Sequence, residues 1–153
     1  MTPEEKLRSL GIELPEIPKP LGSYMPFARS GNLVYLSGML PLREGKLTVT
    51  GRVGEAIALA EAAEAARTAA INGLAVLRSA IGSLDKVTRC VKISGYVSSA
   101  ADFTDQPKVL NGASDLLFEV FGEAGRHARA ALGVNVLPLN SPVEIEFIFE
   151  VLE

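Results

Sequence analysis

The sequence predicts an α+β fold in which helices cover one face of a mixed β-sheet. Residues 54–81 and 105–121 carry apolar side chains at helical spacing, and between them 87–97 is a strand-like run rich in Val, Ile and Tyr. The last segment, 143–152, alternates instead: Val143, Ile145, Phe147, Phe149 and Val151 share one face, with Glu144, Glu146 and Glu150 on the other. Short strand-like runs gather ahead of the first long helix. The predicted order is therefore β-β-β-α-β-α-β-β after a short N-terminal helix, and layered packing of such elements gives the α+β arrangement.

Each element has a local reason. Thr2-Pro3-Glu4-Glu5 reads as an N-cap, a proline at the first helical position and acids in the first turn, which predicts a helix to about residue 10. Residues 14–20 hold three prolines and are expected to be extended and irregular. Residues 25–28 and 33–37 read as strands joined by a tight turn at Ser30-Gly31-Asn32, and 47–50 as a third strand extending the sheet. The long helix is rich in Ala, Leu and Glu, with Ile57, Ala60, Ala63, Ala66 and Ala70 on the expected core stripe. Ser83-Leu84-Asp85 turns the chain into 87–97, Gly122 closes the next helix, and 129–137 and 143–152 are the last strands.

Composition narrows the functional classes. A chain of 153 residues, 48% hydrophobic and 22% charged, suits one folded domain over 1–153. A net charge of −3 argues against a nucleic-acid binder, which needs a basic stripe to neutralise phosphates. One cysteine and one histidine supply neither an internal disulfide nor an unaided metal site. The N-terminus has acids where a secretory signal has bases, and no uncharged run approaches the roughly 20 residues that span a bilayer. A cytoplasmic protein is the expectation. No Walker motif, dinucleotide fingerprint or paired Cys or His ligands occur, and no cofactor is implied.

The densest charge lies in Gly125-Arg126-His127-Ala128-Arg129, just before a strand, with Val143-Glu144-Ile145-Glu146 on the strand that follows. Fixed guanidiniums near a strand-borne carboxylate are a means of gripping a small carboxylic acid and holding a water beside it. The second face of the last strand mixes glutamates with Ile148 and Leu152. A sheet face neither polar nor apolar is commonly buried against another subunit, so oligomerisation is expected.

Gly22-Ser23-Tyr24, the run Gly31-Asn32-Leu33-Val34-Tyr35-Leu36-Ser37-Gly38-Met39-Leu40-Pro41, Ala128-Arg129-Ala130, Val136-Leu137-Pro138 and Val143-Glu144-Ile145-Glu146 resemble the two signatures of the Rid (reactive intermediate deaminase, YjgF-like) family. The likeness runs from about residue 20 onward in the same element order. It implies a chorismate-mutase-like fold, a homotrimer and ligand clefts between subunits. It also implies hydrolysis of 2-imino or 2-enamino acids to 2-oxo acids and ammonia, without a cofactor. By the resemblance Arg129 binds the substrate carboxylate, Glu144 positions the water, Tyr24 lines the pocket, and the backbone around Ser37 and Gly38 adds polar contacts. Three departures from the resembled pattern mark a divergent, longer-chain branch. Residues 1–20 are an N-terminal extension that compact members of the family usually do not have. Gly125-Arg126-His127-Ala128 replaces the proline and alanine that usually precede the arginine. An asparagine expected in the later helix falls near Ser114, with Asn111 one turn earlier.

Plainer readings stand beside these. Arg129 could pair with Glu144 or Glu146 as an interface ion pair, and Glu144 could be merely solvated. Arg126 reads as a structural cap or inter-subunit salt bridge, and His127 as a satisfied hydrogen-bonding side chain. Tyr24 could be a packed aromatic, and Cys90 an inert buried thiol. Ser37 has no histidine–acid pair to activate it. The functional alternatives are a non-catalytic trimer binding small carboxylates or a partner protein in the same clefts, and, ranked third, an endoribonuclease.

Overall fold

A computed structural model describes residues 1–17 and 22–153. The main sheet has five strands in the order β1 (Phe27–Ser30), β2 (Leu33–Leu36), β7 (Val143–Val151), β5 (Val87–Ser98) and β6 (Ala128–Val134). All neighbours are antiparallel except β5 and β6, which run parallel and are joined through α3 (Gln106–Phe121). The two main helices, α2 (Leu59–Ile81) and α3, lie on one face, which gives the expected α+β arrangement.

The alternation read in the last strand is what aims it. Val143, Ile145, Phe147, Phe149 and Val151 are all buried beneath the helices. Gly73 of α2 lies so close to this layer that a Cβ there would stand 3.0 Å from the Phe147 ring. The α2–α3 crossing is tighter still: a Cβ on Gly112 would fall 1.9 Å from the Ala63 carbonyl oxygen. Small residues on both helices permit that approach. Of the α2 alanines expected in the core, Ala66 and Ala70 are buried, whereas Ala60 is exposed and Ala63 half-buried; Ala62, Ala65 and Ala69 complete the buried stripe.

The first helix, α1 (Pro3–Ser9), forms through the expected cap. Thr2 and Glu5 make a reciprocal capping box, and Leu7 is buried at 1% exposure. Glu4 ties it down by accepting from Arg78 Nε and Nη2 at 3.2 and 2.8 Å and from the Leu84 N–H at 2.9 Å. Residues 12–17 have no regular structure, and the rest of the proline-rich stretch lies outside the described residues.

Several boundaries differ from expectation. The first strand is Phe27–Ser30, two residues later than its hydrophobic run suggested, because the Met25 carbonyl is taken by the Ser37 hydroxyl. The third strand does not extend the sheet. Instead β3 (Leu42–Arg43) and β4 (Lys46–Leu47) form a separate ribbon, turned by Glu44 and Gly45 at positive φ. The long helix starts at Leu59 rather than Gly54, since Gly54 has φ 89° and the stretch before Ala58 is a turn. Strand β6 stops at Val134, short of 137, before a turn in which Leu139 and Asn140 are left-handed.

Candidate functional site

Arg129, Ala131 and Gly133 of β6 face α3: Arg129 bonds to Asn111 and Ser114, and a Cβ added at Gly133 would meet Gln106. Asn111 and Ser114, three residues apart, share one helical face, so the strand presents Arg129 to both. Arg129 Nη1 donates to Asn111 Oδ1 at 2.9 Å and to Ser114 Oγ at 3.1 Å. Those two acceptors occupy both hydrogens of Nη1. The Nε–H and the adjacent Nη2 hydrogen form the side-on fork that fits a carboxylate, and no acceptor among the described residues engages them. Arg129 also makes no ion pair with Glu144 or Glu146 among the described residues.

His127 enters this cluster from behind. Its Nδ1 lies 2.6 Å from the Gly125 carbonyl oxygen, and its Nε2 lies 2.9 Å from Ser114 Oγ. Burial lowers its pKa below the ordinary value; the Gly125 bond opposes that shift and the Arg129 charge adds to it. The imidazole is therefore neutral near pH 7, with its proton on Nδ1, where a carbonyl must be met by a donor. Arg126 takes no part: it is exposed, with a guanidinium nitrogen 3.6 Å from Glu123.

Glu144 lies on the other side of the sheet. Even-numbered residues of β7 project away from the helices, and Tyr96 of β5 is the cross-strand neighbour of Glu144. The paired backbone bonds between Met39 and Ile145, at 2.8 and 3.0 Å, bring Gly38 against Glu144. A Cβ on residue 38 would stand only 2.2 Å from Glu144 Oε2, so the glycine vacates the volume the carboxylate occupies. Burial, and secondarily the Glu146 charge, push the Glu144 carboxyl above its ordinary value. Tyr96 was not anticipated. Its hydroxyl donates to Glu146 Oε1 at 2.5 Å, a bond that raises the Tyr96 pKa and that only the β5–β7 register could have revealed.

Near Gly38, the Ser37 hydroxyl donates to the Met25 carbonyl at 2.5 Å, and Tyr24 is 59% exposed. Among the described residues no base meets the Ser37 hydroxyl, which is committed to the Met25 carbonyl. Cys90 is fully buried beside the Ile148 carbonyl, and burial raises its thiol to about 12, which makes it inert as a thiolate near neutrality. Among the described residues there is no group of three or more His, Cys, Asp and Glu placed to hold a metal ion, and no helix is long and apolar enough to cross a membrane.

The residues singled out from sequence thus form two clusters, Arg129–Asn111–Ser114–His127 and Ser37–Gly38–Glu144, with Tyr24 exposed just ahead of Met25. Arg129 pairs with Ile93 and Glu144 with Tyr96, so they stand three residues apart along β5 and on strands either side of it. At ordinary strand spacing their backbones are about 14 Å apart, with the side chains on opposite faces. One chain does not converge them on a single ligand.

This five-stranded mixed sheet with two main helices on one face is the arrangement of chorismate-mutase-like α+β subunits. Residues 4–152 match the family described as "YjgF/chorismate mutase-like, putative endoribonuclease", and the chain belongs to that family. Among solved structures it is similar to the protein Atu1372 of Agrobacterium tumefaciens, described as of unknown function (46% identity, TM-score 0.90, covering 98% of this chain and 92% of that one). It is also similar to a protein of Shewanella oneidensis described as "a putative endoribonuclease" (38% identity, TM-score 0.95, covering 99% and 100%). A 2-iminobutanoate/2-iminopropanoate deaminase of Dermatophagoides farinae is 32% identical over 139 residues, 90% of this chain and 92% of the relative.

Proposed function

We propose that this protein is a hydrolytic deaminase of 2-imino or 2-enamino acids, acting in clefts between the subunits of a homotrimer. The observation that carries the reading is the Arg129 guanidinium, held along one nitrogen by two neutral acceptors and left with a free side-on fork. An arginine meant for an internal ion pair has a carboxylate on that edge. The similarity to a relative named as an iminobutanoate and iminopropanoate deaminase supports the same chemistry.

In this reading the substrate carboxylate binds the Nε–Nη2 fork of one subunit, and its C2 carbon faces Glu144 of a neighbour. Such a division suits two clusters that face opposite ways within one chain. A water oxygen adds to C2 as one water proton passes to Glu144 and the C2=N double bond opens, its nitrogen then taking that proton from Glu144. The carbinol hydroxyl proton next passes by way of Glu144 to the amine, the C2–N bond breaks, ammonia leaves and the C2=O bond forms. The imine is already electrophilic, so positioning and proton transfer carry the reaction. A carboxyl raised by burial is suited to taking and returning that proton.

An endoribonuclease fits less well. Glu144, Glu146 and Glu150 share the open face, where a phosphodiester needs cations, and both nitrogens of the single histidine are engaged.

The test is semicarbazide trapping of imines released by an amino-acid oxidase, comparing wild type with Arg129→Ala. Arg129→Ala is expected to lower kcat/KM by about 100-fold, as loss of a bidentate carboxylate contact should, with the trimer intact by sedimentation. An unchanged rate in the variant refutes the anchor. A wild type that binds 2-oxo acids but accelerates nothing points to a non-catalytic carboxylate-binding trimer.

A further inference from the structure

We propose that His127 is a positioning residue for Arg129: by accepting the Ser114 hydroxyl proton it turns the serine lone pairs toward Nη1 and so sets which edge of the guanidinium meets the ligand. The role rests on the carboxylate-anchoring reading above and names a residue that reading does not use.

The argument is one of proton order. A serine hydroxyl has one hydrogen to give and two lone pairs to offer. The Gly125 carbonyl, 2.6 Å from Nδ1, can only accept, so the Nδ1 proton is directed there. That leaves Nε2 of the neutral ring as an acceptor, 2.9 Å from Ser114 Oγ. The Ser114 hydrogen then points at His127, and its lone pairs are left for the Arg129 Nη1–H at 3.1 Å. The chain from the Gly125 carbonyl through His127 and Ser114 to Arg129 has donor and acceptor assigned at every step. The Asn111 oxygen takes the second Nη1 hydrogen at 2.9 Å. Removing the Nε2 acceptor frees the hydroxyl to rotate, and its hydrogen can then oppose the guanidinium. With both ring nitrogens committed, the imidazole is not a general acid or base in this arrangement.

Two substitutions separate positioning from support. The Oε1 atom of glutamine can stand in for Nε2, and the Nδ2 amide of asparagine for Nδ1–H. His127→Gln keeps the acceptor for Ser114 and drops the tether to Gly125, and His127→Asn does the reverse. Affinity for 2-oxobutanoate, used as a stable carboxylate probe, is measured by calorimetry at pH 7.5 in wild type, both variants and Arg129→Ala, with the Tm of each. Nitrogen-15 spectra of the wild-type imidazole read its tautomer.

The expected result is a protonated Nδ1, about tenfold weaker binding in His127→Asn, and recovery of most of that loss in His127→Gln, the scale of one hydrogen bond to a charged group. Losses that are equal in the two variants, or that follow Tm alone, overturn the positioning role while leaving the anchor standing. Asparagine outperforming glutamine, or a proton found on Nε2, overturns it as well. If Arg129→Ala binds the probe as tightly as wild type, the anchor itself fails and the role of His127 falls with it.

Discussion

Gly38→Ala tests whether the placement of Glu144 matters more than its mere presence. The added Cβ would lie 2.2 Å from Oε2, 2.8 Å from Cδ and 3.0 Å from Cγ of Glu144. Ordinary contact requires the carboxylate to retreat by about 1 Å or to change rotamer. Residue 38 is not left-handed, so alanine brings no backbone strain, and the group that must move is the end of a flexible side chain. The stability cost is therefore expected to be small, about 1 kcal/mol or less. Activity should respond far more strongly, because displacing a catalytic group by about 1 Å can cost on the order of 100-fold. The assay is kcat and KM for imine hydrolysis alongside thermal melting, with Glu144→Gln as the comparison. A kcat within about threefold of wild type at unchanged Tm would show that hydrolysis does not depend on Glu144 being held there, and the proton-transfer role would have to be abandoned.

Other outcomes follow from the packing and the charges. Gly112→Ala meets a backbone carbonyl at 1.9 Å instead of a mobile side chain, so α2 and α3 must separate; denaturant unfolding should show a loss of about 2–3 kcal/mol. Glu4→Ala removes a forked contact to Arg78 and orphans the Leu84 N–H; since Arg78 is partly exposed, a loss of about 1–2 kcal/mol is expected, with Tm lower by roughly 3–6 °C. His127 has a folded pKa below its ordinary 6.5, so the unfolded chain binds the proton more readily. Its contribution to stability is present above 6.5 and is lost as pH falls through the lowered folded value, and His127→Gln should flatten that slope in urea unfolding across the same range. Glu144 works in the opposite sense: raised above 4.5, it stabilises at low pH and loses that contribution as pH rises through its folded value, so Glu144→Gln should remove a decline on the acid side.

Much of the fold was legible because burial writes a period into the chain. The two-residue alternation of Val143 to Val151 and the helical stripe ahead of Gly122 identified their faces without help. The errors fell where local chemistry is ambiguous. Leu47 to Thr50 looks like a strand, but the left-handed pair Glu44 and Gly45 folds it back on Leu42 and Arg43 before it can reach the sheet. Gly54 sits among good helix formers, yet its positive φ postpones the helix to Leu59. Arg129, Glu144, Ser114, Asn111 and His127 were all visible as candidates. Which of them touch was not.

The order of elements from the long helix onward and the buried face of the last strand depend on neighbours a few residues away, and the sequence by itself determined them. The partnership of Arg129 with α3, the wedge between Gly38 and Glu144, and the bond from Tyr96 to Glu146 depend on strand register and on which helix crosses which strand. Those are long-range outcomes, set by how the Phe147 and Phe149 layer packs beneath α2 and by how closely Gly112 lets α3 approach it. The tertiary structure alone decided that the two clusters face opposite ways, because the pleat sends successive side chains of a strand to opposite sides, and only the pairing of β6 and β7 across β5 ties one strand's parity to the other's.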